Sequence, residues 1–139
     1  MDGTAFLVSA RLLMRKPSEV SRRSAVSRGY FAILNEARSV LKRWGFSVAV
    51  KAGVDPSVIS LFEKAVNRDA IRVWDVLTQL EQNREDADYF LTGPVAFADE
   101  REVRRLLLLV QIGIDLLDEL VADPVRRAAT VAALRAGFP

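Results

Sequence analysis

The chain has 139 residues, half of them hydrophobic, with only 7 glycines and 5 prolines, a balance that makes one globular domain and argues against disorder. It contains no cysteine and no histidine. Disulfides, thiolate metal sites, Ser-His-Asp triads and histidine-dependent ribonuclease or zinc chemistry are therefore excluded for this chain acting alone. The net charge of +2 divides unevenly, because residues 1–54 hold ten Lys and Arg against three Asp and Glu, and the remainder ten against fifteen.

Helical periodicity runs through the sequence and no segment alternates like a strand. Thr4 is placed to cap a first helix reaching about Arg15, with Phe6, Leu7, Ala10 and Leu13 along one side. Lys16-Pro17 ends it, since proline disfavours helical geometry in the residue before it. Ser18 then caps a long second helix to about Arg43, whose stripe is Val26, Tyr30, Ile33, Ala37, Val40/Leu41 and Trp44. Small residues in its first half, among them Ala25, Gly29 and Ala32, permit close approach of a neighbour.

Asp55-Pro56 predicts the restart of a short third helix carrying Val58, Leu61, Phe62 and Ala65. A fourth helix is predicted from about Arg68 to Glu85, presenting Ile71, Val73, Trp74, Leu77 and Leu80. After the Thr92-Gly93-Pro94 loop a fifth runs from near Phe97 to Val121. From Leu106 onward it is apolar over most of its circumference, so it needs partners on more than one side, as a bundle centre, a dimer interface or both. Asp123-Pro124 starts a last helix that Gly137 closes. The expected fold is all-α: a single up-and-down bundle of five to six helices forming one domain over 1–139. The Phe6 to Met14 stretch contains Arg11 and lacks a cleavage site, and the longest apolar run, Leu106 to Val110, is far short of a span. A cytoplasmic protein without a membrane partner is expected.

Two segments carry a resemblance. Arg23-Ser24-Ala25-Val26-Ser27-Arg28-Gly29-Tyr30-Phe31-Ala32 is similar to the R-x-A-x-S-R-x-Y-Y-A opening of the second helix in HEPN-domain proteins. Leu80-Glu81-Gln82-Asn83-Arg84-Glu85-Asp86-Ala87-Asp88-Tyr89 resembles the L-x-x-x-R-x-x-A-D-Y end of that family's fourth helix. The resemblance spans roughly 18–121 and implies a HEPN-like bundle, often dimeric and often paired with a minimal nucleotidyltransferase. The family's nucleases carry Arg followed after four to six residues by His. Here Arg84 is followed by Tyr89 where that His is sought. A phenol of ordinary pKa near 10 is a poor proton shuttle at neutral pH.

The ligand-binding candidates are Arg84, Asp88 and Tyr89, with Arg22, Arg23, Arg28 and Tyr30 on the second helix. Arg84 would meet phosphate, and Tyr89 would stack on or hydrogen-bond to a base. The plainer reading is a polar knot at a helix end. A divalent ion between Asp86 and Asp88 is disfavoured by their two-residue spacing, which turns them apart on a helix. Arg22, Arg23 and Arg28 are either a solvated face or an anion footprint; cations near a helix start do nothing for its dipole. Tyr30 and Phe31 are adjacent and cannot share a face, so one is core and the other flanks an interface, with base stacking as the alternative. Trp44 and Trp74 read as core, and Asp115, Asp118 and Glu119 as a solvated face or a docking surface for a partner's basic half.

The expected function is a non-catalytic binding module for a nucleotide or RNA, or an accessory partner of a minimal nucleotidyltransferase in a toxin–antitoxin-like system. It is expected to act as a homodimer with no catalytic residue, metal or cofactor. The alternatives are a metal-independent ribonuclease toxin using Arg84 and Tyr89 in a dimer groove, and a scaffolding bundle acting only through protein contacts.

Overall fold

Six helices follow one another in the computed structural model: α1 (Gly3–Leu13), α2 (Glu19–Arg43), α3 (Val58–Lys64), α4 (Arg68–Tyr89), α5 (Glu100–Ala122) and α6 (Pro124–Gly137). The structure describes residues 3–15, 18–49, 57–89 and 100–138; for residues 3, 4, 19 and 86–89 it describes the backbone alone. Among the described residues there is no strand, and no helix is long and apolar enough to cross a membrane. The all-α bundle expected from the sequence is the observed fold.

Local chemistry sets most helix ends. The Ser18 hydroxyl accepts the backbone N–H of Ser21 at 3.1 Å, and Asp123 accepts those of Val125 and Arg126 at 3.0 and 3.2 Å, each satisfying an orphan donor of a first turn. At the other end of α2, Gly45 adopts a φ of +88°, the left-handed conformation that glycine takes without strain. The Phe46 N–H then reaches back to the Leu41 carbonyl at 3.0 Å and the Gly45 N–H to that of Lys42 at 3.1 Å, closing the helix with its last carbonyls satisfied.

Three boundaries differ from expectation. Helix α1 begins at Gly3, so Thr4 lies within its first turn instead of capping it. The cap of α3 is Ser57, whose hydroxyl accepts the Ser60 N–H at 3.1 Å, rather than Asp55, which lies with Pro56 outside the described residues. Helix α4 continues past Glu85 to Tyr89, because none of residues 81–89 is a helix breaker. The predicted start of α5 at residues 97–99 also falls outside the described residues.

Helix α2 lies between α1, α4 and α5, while α6 closes the far end against α3, α4 and α5. The α2–α5 contact depends on two glycines. A Cβ at Gly29 would sit 2.9 Å from Leu107, and one at Gly113 would overlap Ile33. Ala25, Ala32, Ile33 and Ala37 of α2 and Leu106, Val110, Ile114 and Leu117 of α5 are all buried in the common core. All six helices contribute to this one core, from Leu7 of α1 to Leu134 of α6.

The predicted apolar faces hold with some changes. On α1 Leu7 and Ala10 are buried, with Met14 in the turn that follows. Trp44 and Trp74 are only partly buried at the core's edge, and Ile71 is exposed. An indole or a branched side chain at the rim of a helical stripe satisfies the periodicity without entering the core.

Candidate functional site

The two segments that carry the family resemblance meet in the fold. Tyr30 stands on α2 and is buried, with 4% of its surface exposed. Arg84 stands on α4, and its guanidinium carbon lies 5.2 Å from the centroid of the Tyr30 ring, within reach of a cation–π contact. Phe31, the next residue, is 38% exposed and meets the Tyr30 ring edge-on at 5.6 Å. Beyond it Phe6 of α1 follows at 6.3 Å. The adjacent aromatics therefore divide, Tyr30 into the interior and Phe31 to its margin.

A cavity of about 260 Å³ opens beside Tyr30, lined also by Leu34, Arg38, Val58, Ile59 and Glu81. Burial, followed by the carboxylates of Glu81 and Glu85, pushes the Tyr30 phenol above its usual pKa, while Arg84 and Arg38 pull the other way. Tyr30 therefore presents a neutral hydroxyl at physiological pH. Glu81 is raised as well, by burial first and then by Glu85, with Arg84 opposing. Arg38 donates from Nη1 to Asn35 Oδ1 at 3.3 Å. Its Nε is buried and has no hydrogen-bond partner among the described residues. A buried donor in that condition is costly, and a hydrogen-bonding ligand or an ordered water in the cavity would relieve it.

The local helical geometry brings these groups together. Leu34 and Arg38 follow Tyr30 at steps of four on α2, and Glu81 precedes Arg84 by three on α4, so each set lies along one helix side. Seven residues, about two turns, place Arg23 on Tyr30's side of α2, where it is half-buried. Arg22 is also half-buried, whereas Arg28 is exposed and projects from the side of α2 away from Tyr30. The expected arginine group is thus split around the helix, because consecutive steps of 100° spread residues 22, 23 and 28 over its circumference.

Asp88 and Tyr89 occupy the last turn of α4, but their side chains, and that of Asp86, lie outside the described residues. Among the described residues no group of three acidic or other ligating side chains could hold a metal ion. Arg38 was not among the residues singled out from sequence. Its spacing of eight from Tyr30 marks the same side of α2, a signal visible only once Tyr30 is known to border a cavity.

A second polar cluster, remote in sequence from the two motifs, joins α4 to α6. Arg126 donates from Nη2 and Nε to the two carboxylate oxygens of Asp69 at 2.9 and 3.2 Å, and from Nη1 to Glu119 at 3.3 Å. The Arg126 hydrogen bonds hold the Asp69 carboxyl below its ordinary pKa. Asn67 caps α4 through the Ala70 N–H at 3.0 Å, and the buried Thr130 hydroxyl bonds to the Arg126 carbonyl at 2.8 Å. Each polar group here meets a protein partner, so the cluster is a structural tie between helices. No family model matches the chain, nor does any curated protein or solved structure.

Proposed function

We propose that this chain is a non-catalytic, HEPN-like binding module that takes a nucleotide or an RNA end at the α2–α4 face, in the setting of a minimal nucleotidyltransferase partner. The observation that carries the reading is that Tyr30 of the first motif and Glu81 of the second line one cavity, with the Arg84 guanidinium over the Tyr30 ring. About 260 Å³ is a little below the ~300 Å³ at which small-molecule pockets begin, which suits a single base better than a whole nucleotide. The neutral Tyr30 hydroxyl, the Glu81 carboxyl and the buried Arg38 Nε offer donors and an acceptor to a base edge. Arg23, on the same side of α2, is positioned to meet the attached phosphate.

No histidine exists in the chain to move a proton, and the Tyr30 pKa lies on the wrong side of neutrality for a general base. Those two facts favour binding over cutting. The experiment is fluorescence anisotropy with labelled single-stranded RNA and with nucleotides, for the native chain and for Arg38→Ala and Arg84→Ala. The reading expects binding that weakens steeply with salt and falls about tenfold or more in the variants. An absence of binding to RNA and to nucleotides, together with no transferase co-purifying from the source cell, would sink it. Cleavage of the labelled RNA would replace it with the nuclease reading.

A further inference from the structure

Another cavity, of about 330 Å³, opens between the end of α1 and the first half of α5, lined by Arg11, Met14, Arg104, Leu107 and Leu108. On α5, residues 104, 107, 108 and 111 recur at the three- and four-residue steps that keep to one side of a helix. On the opposite wall Met14 follows Arg11 by three. The Met14 N–H bonds to the carbonyls of Ala10 and Arg11 at 3.3 and 3.2 Å, which carries a turn past Leu13 and brings the thioether to the floor. Helix α1 packs chiefly on α2 and only lightly on α5, so a trough stays open between α1 and α5.

Two residues of the trough are cationic donors and the other three are apolar. Met14 and Leu107 are buried, and Leu108 is 61% exposed at the margin. Arg11 donates from Nη2 to the neutral amide oxygen of Gln111 at 2.8 Å. Arg104 donates from Nε and Nη2 to one oxygen of Glu100 at 3.1 and 2.7 Å. A guanidinium carries five N–H groups. Among the described residues, Nη1 of both arginines and Nε of Arg11 are left open to a further acceptor. The Arg104–Glu100 pair is exposed and local, so its net worth is small and a second carboxylate can share the guanidinium.

We propose that this trough binds a medium-chain aliphatic monocarboxylate, its head between Arg11 and Arg104 and its chain on Met14, Leu107 and Leu108. Planar guanidinium forks match the geometry of a carboxylate. The lining residues include no ring to stack on a base and no acceptor to read its edge, which sets this site apart from one for nucleotides. The volume lies near the lower end of the ~300–1,000 Å³ typical of ligand pockets and so limits the length of chain. Met14 suits a ligand without a fixed shape, because its thioether side chain repacks easily. The trough shares no residue with the Tyr30 cavity, so it stands or falls independently of what that cavity binds.

The test is isothermal titration calorimetry of the full chain with octanoate. Saturable one-to-one binding is expected, with a dissociation constant of about 1 mM or below. Hexanoate should bind about tenfold weaker or more, since each buried methylene contributes roughly fourfold. The alcohol 1-octanol has the chain without the charge and should also bind about tenfold weaker. Arg11→Ala and Arg104→Ala are each expected to weaken octanoate about tenfold. Arg72→Ala removes an exposed arginine one turn from Asp69 and should leave octanoate binding unchanged. Circular dichroism verifies that the variants keep their helix content. An absence of saturable octanoate binding overturns the proposal. So does octanol binding as tightly as octanoate, or an octanoate affinity indifferent to both Arg11→Ala and Arg104→Ala. Displacement of octanoate by adenosine monophosphate would give the trough to nucleotides and overturn it as well.

Discussion

The guanidinium of Arg84 lies over the ring of Tyr30, 5.2 Å from its centroid, and so links the middle of α2 to the second half of α4. One face of the phenol is taken by a cation, its edge by Phe31, and its hydroxyl lies among Glu81, Glu85 and Arg38. The contact thus unites packing, charge and the candidate cavity in two side chains.

Replacing Arg84 by alanine is expected to cost about 0.5–2 kcal/mol of stability, the range of a cation–π contact from exposed to desolvated settings. Arg84→Lys keeps the charge but loses the flat guanidinium, and should fall between the native chain and the alanine variant. Urea denaturation of the three proteins measures the order. A result in which lysine is as poor as alanine would show that planarity, not charge, makes the contact.

The raised pKa of Tyr30 has a consequence at alkaline pH. The unfolded phenol ionises near pH 10, while the folded one holds its proton to higher pH. Stability should therefore be fully present below pH 10 and decline as pH rises through the folded pKa. Absorbance titration in a Tyr89→Phe background isolates Tyr30, since the chain has only two tyrosines. A midpoint at or below pH 10 would contradict the burial described for this ring.

For Asp69 the sign is opposite. Its folded pKa is lowered by the Arg126 hydrogen bonds, so its contribution is complete above the unfolded value of about 3.9 and is lost as pH falls through the folded pKa. Asp69→Asn should lower the urea midpoint at pH 7. Its acid unfolding curve below about pH 4 should also be shallower than that of the native chain. Equal acid slopes for the two proteins would mean that the α4–α6 tie carries no proton linkage.

The α2–α5 crossing predicts a coupled pair of substitutions. Gly113→Ala gains about 1 kcal/mol of helix propensity but drives a methyl into Ile33, which is fully buried and has no room to retreat. The net effect should be a loss of about 1–3 kcal/mol, the usual cost of overfilling a core. Ile33→Val removes the clashing methyl, so the double variant should be more stable than Gly113→Ala alone. A thermal-denaturation double-mutant cycle reads that coupling directly.

Helix α6 lies outside the span of the family resemblance, yet Leu134 is fully buried in the common core. Leu134→Ala should cost about 2–5 kcal/mol, measured by urea denaturation. A loss below about 1 kcal/mol would mark α6 as an appendage instead of a member of the bundle.

The amino-acid sequence by itself determined the helices and most of their ends, because the forces that start and stop a helix act over a few residues. Ser18 and Asp123-Pro124 carry their hydrogen-bonding partners within a turn, and the stripes on α2, α4 and α5 follow a local period. It also determined what chemistry is missing, since no arrangement of this chain can supply an imidazole. Only the tertiary structure decided that Tyr30 and Arg84, 54 positions apart in sequence, share a contact, and that Arg38 and Glu81 join them while Arg28 does not. Periodicity alone could not tell that Ile71 stays outside, or that Leu107 and Val110 face the core while Leu108 and Ile112 face outward. Those distinctions depend on which side of each helix its neighbours approach; between α2 and α5 that approach is set by Gly29 and Gly113, whose missing side chains let the two helices come close. The cavity and the shifted proton affinities arise where α4 meets α2, α3 and α6, and no single helix encodes those meetings.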